Sequence, residues 1–253
     1  MSLKKIIQSK KKLFAINIVL IVVLVFSLGI NQILLSKITS GLHIKGGAVS
    51  RMFGSLVGAR SHGSSHVDLT GNVTEDAIKL AISSGVPEIY GEELGITFDN
   101  VQGSIDIVKQ LDPTYGRSKI ILTGDNLQRY IDVGLRISCE YCCSAKSIIT
   151  RDGKGACGCA HSWAMRGLIA YLVQNHGEEY TNDEILREIS RWKAMYFPKQ
   201  MIQKLSGQLQ GANFTPDTAS LILDIDLPDY GQGDQKAPLP SDITDLPSMV
   251  GGC

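Results

Sequence analysis

Five of the chain's six cysteines fall in one short segment: Cys139-Glu-Tyr-Cys142-Cys143, then SAKSIITRDGKGA, then Cys157-Gly-Cys159-Ala-His161. That clustering constrains the fold more than any other feature, because sulfurs so close in sequence must either be bridged to one another or converge on a shared ion. A C-x-x-C pair permits a tight knuckle that turns two thiolates toward one ion, and mixed sulfur and nitrogen ligation is typical of closed tetrahedral zinc sites. Ser147 to Thr150 is β-prone and Asp152-Gly153 is a strong hairpin turn, so a small β-hairpin is expected to return Cys157 to the knuckle. Cys157, Cys159 and His161 then stand at the start of a helix, where unpaired N–H groups and the positive dipole end favour thiolates.

Knuckle, hairpin and ligands at a helix start resemble a treble-clef zinc finger, with the second pair C-x-C-x-H in place of C-x-x-C. The candidate metal ligands are Cys139, Cys142, Cys143, Cys157, Cys159 and His161, with the fourth ligand open between Cys159 and His161 and with Cys143 unassigned. Zinc is the expected ion. Copper(I) is the alternative, since thiolates and the thioether of Met165 suit a soft cation. Three rival uses of the cysteines are a disulfide network, a C-x-x-C thiol oxidoreductase and an iron–sulfur cluster.

Residues 135–197 also resemble a group of bacterial surface lipoproteins named for a Pro-Cys-Tyr-Cys-Gly-Cys motif. The resemblance is carried by the cysteines around Tyr141, the pair Cys157 and Cys159 opening a helix, and the EIL-REIS-RW-Y pattern from Glu184 to Tyr196. The proline and a lipid-attachment cysteine are absent here, and Glu140 stands inside the motif. The resemblance implies an extracytoplasmic metal or thiol domain.

The second strong signal is an uncharged stretch from Leu13 to Ser36, long enough to cross the roughly 30 Å hydrocarbon layer as a transmembrane helix. Lys4, Lys5, Lys10, Lys11 and Lys12 precede it, so the positive-inside bias places residues 1–12 in the cytoplasm and the chain after about residue 37 outside. The expected localisation is therefore a cell membrane, single-pass, with the membrane as one partner and an unidentified protein as another. A flexible stalk is expected over 37–69 (including His62 and His66), a helical domain over 70–226, and an extended Pro-rich tail over 227–253 ending in Cys253.

Within the domain, Thr74 reads as an N-cap, and Asp125 as the cap of a helix carrying Leu127, Tyr130 and Ile131. His161, Met165, Leu168 and Leu172 recur on one helical stripe, and a T-x-x-E capping box at Thr181 and Glu184 opens another with Ile185, Ile189, Trp192 and Tyr196. Pro198 precedes a third, with Met201, Ile202, Leu205 and Leu209. The expected fold class is mainly α with a small β-hairpin: an N-terminal transmembrane helix and one helical metal-binding domain.

Equal numbers of acidic and basic residues give no general attraction for nucleic acid. No G-x-S-x-G, P-loop, H-E-x-x-H or Rossmann fingerprint occurs, so the sequence offers chemistry only at the cysteines. Asn72-Val-Thr and Asn213-Phe-Thr match the glycosylation triplet.

Overall fold

The computed structural model describes residues 67–231, 243 and 245–251 of the chain. They form a helical unit with α1 Val73–Ala81, α2 Gly91–Leu94, α3 Val101–Val108, α4 Gly124–Gly134, α5 Glu140–Cys143, α6 Ala160–Asn175, α7 Asn182–Tyr196, α8 Pro198–Leu209 and α9 Pro216–Leu221. Helix α6 is central. It packs against α3, the 3-10 turn at Lys109–Leu111, α4 and α7, while α7 in turn carries α8 and α9.

The caps and stripes explain these helices. Thr181 accepts from the backbone of Glu184 while the Glu184 carboxylate returns to the Thr181 N–H, closing the capping box, and Ile185, Ile189, Trp192 and Tyr196 are buried below it. Pro198 occupies the first turn of α8, where its missing N–H costs nothing. The cap of α1 is Asn72, two residues ahead of the Thr74 expected from the sequence. Its side chain accepts from the N–H groups of Thr74 and Glu75, so a residue of the glycosylation triplet already serves as a helix cap.

Two expectations of fold class are corrected. The β-hairpin is absent among the described residues: the segment holds one antiparallel bridge, Ile149 with Gly155, and no strand. Its backbone groups are committed elsewhere. Ile148 N–H donates to Ile137 O, Gly155 N–H donates to the Thr114 hydroxyl, and Ile148 O, besides accepting from Ala156 N–H across the turn, is shared with Arg166, so pairing stops at one bridge. The turn itself is present, with Gly153 at φ +79° and Thr150 N–H donating to Lys154 O.

The transmembrane helix is the second correction. No helix among the described residues is long and apolar enough to cross a membrane, and the 13–36 segment lies outside them. Even α6, with 16 residues, spans only about 24 Å and carries Arg166 in its interior. The single-pass localisation and the membrane as partner are withdrawn with it.

Arg166 organises the interior around the cysteine loop. Its guanidinium, fully removed from solvent, donates to Asp112 Oδ1 at 2.9 Å and Oδ2 at 2.8 Å, and through Nη1 to the carbonyls of Ile148 and Cys157 at 3.0 Å each. Gly167 beside it lets α6 approach the turn after α3, since a Cβ there would lie 2.2 Å from Val108 O. Removing one partner strands a buried charge, so Arg166→Met should lose about 3–5 kcal/mol of unfolding free energy in urea, and the double variant with Asp112→Leu should recover most of it. A small loss in the single variant would show that the pair does not organise the fold.

A second network ties α5 to α7, α8 and α9. Lys193, fully buried on α7, contacts Asp217 of α9 and Glu140 of α5, and Lys204 of α8 contacts both carboxylates. Burial pushes the Asp217 carboxyl up, but the Lys193 charge and hydrogen bond, with those from Thr215 and Lys204, outweigh it and hold the pKa at about 2. A depressed folded-state pKa contributes stability above the unfolded value of 3.8 and loses it as pH falls toward about 2. The wild-type chain should therefore lose on the order of 2 kcal/mol across that window, and Asp217→Asn should show a flatter acid limb in the same unfolding series.

Candidate metal centre

Cys139 is the residue before the single turn α5, and Cys142 lies within that turn. Cys159 caps α6, and His161 is its second residue. These four side chains converge, each offering one ligand atom within 4.8 Å of the others. Two ligands bound at about 2.3 Å to one tetrahedral ion lie about 3.8 Å apart. The Cys139 and Cys159 sulfurs, 3.4 Å apart, are already near that separation. The group can hold a metal ion.

His161 supplies an observation independent of the sulfurs. The ring is fully buried, with Nε2 2.8 Å from Val250 O, and a carbonyl can only accept, so Nε2 carries the proton. In the neutral ring Nδ1 is then the unprotonated nitrogen, and it has no hydrogen-bond partner despite being buried. A buried acceptor without a partner is costly in an interior. A cation among the three sulfurs would supply the missing interaction, and an imidazole fixed through its other nitrogen by a carbonyl is the usual support for a metal-binding histidine.

The electrostatics favour a thiolate at Cys159. The hydrogen bond from the Cys139 thiol stabilises its charged form, burial opposes it, and the Ser162 side chain and backbone add to the stabilisation, so its pKa is lowered. The Ser162 N–H donates to Cys159 Sγ at 3.4 Å, as expected for an anion at a helix N-terminus. Cys139 is shifted in the opposite sense, first by its hydrogen bond to Cys159 and then by burial.

Cys143 and Cys157 are joined in a disulfide, with Cα atoms 6.9 Å apart. The sequence-derived set of six ligand residues thus divides into a three-cysteine, one-histidine group and a disulfide beside it. Met165 is buried in the hydrophobic core. His62, His66 and Cys253 lie outside the described residues.

Several supporting residues carry no ligand-like pattern. Arg166 holds the Cys157 carbonyl, Glu140 is fixed by Lys193 and Lys204, and the His161 ring lies 5.0 Å from Tyr196 and 4.9 Å from Phe197. Arg166 had one readable signal: it is a charge in the middle of a helix otherwise apolar on nearly every side. The Val250 carbonyl had none, being a backbone group remote in sequence.

Val250 also donates its N–H to Tyr196 O at 2.8 Å, and a Cβ on Gly251 would lie 2.6 Å from Ile105 Cδ1. Gly251 has φ +82°, a region unfavourable for other residues. Gly251→Val should unseat this segment, release His161, and weaken cobalt(II) binding roughly 10- to 100-fold while far-UV circular dichroism stays unchanged. Unaltered affinity would mean that the Val250 contact does not orient the imidazole.

No family model, curated protein or solved structure matches this chain.

Proposed function

We propose that the chain is a zinc-binding protein in which Cys139, Cys142, Cys159 and His161 hold one ion as the structural centre of an interaction or scaffold module. The observation that carries this reading is the buried, partnerless Nδ1 of His161 beside three cysteine sulfurs. The ion would supply charge neutralisation for the thiolates and a link between the α5 turn and the start of α6. The protein's residues supply the rest. α5 presents the knuckle, the α6 N-terminus stabilises the Cys159 thiolate, and Val250 holds His161 with Nδ1 unprotonated.

A structural role follows from where the ligands sit. Cys139 caps and Cys142 lies within a single helical turn that cannot stabilise itself, and the other two ligands stand at the start of the central helix. A cross-link between them ties the shortest element to the best-packed one. Metal handling is a variant of this reading, in which the ion exchanges and copper(I) is an alternative occupant of the three sulfurs.

The 3.4 Å approach of the Cys139 and Cys159 sulfurs favours a second reading, in which these two pair as a further disulfide and the domain is a disulfide-stabilised one.

Elemental analysis of the protein purified without added metal, with a thiol count under denaturing, metal-chelating conditions, separates the two. The zinc reading expects about one ion per chain. Of the six cysteines, two are in the disulfide, so six less two leaves four titratable thiols. Absence of metal with only two thiols would sink it in favour of paired disulfides. Chelation then tests the role: a structural ion should take the helical signal with it when removed, whereas an exchangeable one should leave the fold intact.

A further inference from the structure

We infer that Cys143, Cys157 and Cys159 form a second soft-metal site that opens when the Cys143–Cys157 disulfide is reduced, with Cys159 shared between the two sites. The inference rests on the reading of Cys159 as a ligand of the first centre. The three sulfurs already lie within 4.8 Å of one another. Cys159 belongs to both groups, so a thiolate there can bridge two ions.

The backbone that carries these sulfurs is held independently of the S–S bond. Cys157 is fixed by Arg166 through its carbonyl, Cys159 caps α6, and Cys143 ends a turn whose Glu140 is bound by Lys193 and Lys204. Opening the bond therefore leaves three thiols facing one another. Copper(I) suits such a set: it is soft, favours thiolates and does not require the fourth ligand of a tetrahedral zinc centre.

Access favours reduction from one side. Cys143 is exposed and Cys157 is 8% exposed, so an external dithiol reaches the Cys143 sulfur first. Its thiolate attacks Cys143 Sγ, the S–S bond breaks, and Cys157 leaves as a thiolate. The second thiol of the reductant then displaces Cys143 and departs within a cyclic disulfide. The two electrons come from the dithiol, and its two protons are taken up by the Cys143 and Cys157 thiolates. Copper(I) binding forms the sulfur–metal bonds and releases those protons to solvent. The oxidised protein thus has one metal site and the reduced protein has two.

The experiment uses the full chain carrying Cys253→Ser, so that no sixth thiol contributes. Oxidised and phosphine-reduced samples, freed of reductant under anaerobic conditions, are titrated with copper(I) from a coloured chelator, and copper plus zinc per chain is measured after desalting. Reduction should raise the count from about one to about two, and a Cys143→Ser, Cys157→Ser variant should stay at about one in both states. The single exposed substitution Cys143→Ser should also lose the second ion, while circular dichroism reports whether each variant keeps its helices. A reduced protein that still takes one ion, or a folded double variant that gains a second, overturns the shared site and leaves the first centre standing. An oxidised protein that takes none, with a reduced protein whose single ion requires Cys143 and Cys157, overturns the four-ligand centre and supports the three-sulfur site.

Discussion

A guanidinium removed from water requires its charge and its N–H donors to be answered, and the region around Arg166 answers the charge and four of the five donors. Asp112 offers both oxygens, and the cysteine loop offers the carbonyls of Ile148 and Cys157. These partners come from a turn before α4 and from both arms of the loop between α5 and α6. The desolvation cost is large enough that the partners must arrive together. One side chain thereby fixes the loop that carries Cys157, and with it the approach of the second sulfur group to the first. Gly155 shows how tightly it is drawn: a Cβ there would lie 2.9 Å from Arg166 Cζ and 2.8 Å from the Tyr115 ring.

The same commitment explains where sequence patterns succeed and fail. Thr181 with Glu184, and the stripes through Leu168, Ile189 and Leu205, act through local rules, and the helices they imply are present. The Ser147–Thr150 stretch has the composition of a strand and Asp152-Gly153 has that of a turn, but strand formation is decided by which backbone groups remain available. Arg166, Ile137 and Thr114 claim those groups, all from outside the segment. Asn72 over Thr74 is a subtler case, since both can cap and the choice depends on where the extended chain ends. The apolar 13–36 segment matches a membrane span by length and composition, yet no described helix has those properties.

At the cysteines, spacing identified the residues but could not partition them. C-x-x-C and C-x-C-x-H leave several four-ligand choices open, because sequence gives no direction to the side chains. The turn of α5 supplies it. Cys139 is buried and Cys142 is half-buried, whereas Cys143 at the end of the turn is exposed and meets Cys157. His161 joins the buried side because the second position of α6 faces Tyr196 and Phe197. Glu140, between Cys139 and the rest of the turn, anchors it to Lys193 and Lys204.

The Val250 contact links these local arrangements to a distant part of the chain. A histidine that is to bind through Nδ1 must keep its proton on Nε2, and in a buried site only a fixed acceptor can enforce that choice. Val250 O is such an acceptor because its own N–H is tied to Tyr196 at the end of α7, and Ile243, earlier in the same tail, is fully buried. The ring is thus held from the C-terminal segment on one side and from aromatic neighbours on the other, while its unprotonated nitrogen lacks a protein partner. An interior that satisfies Arg166 four times over leaves that nitrogen unanswered, and an ion held among the sulfurs would answer it.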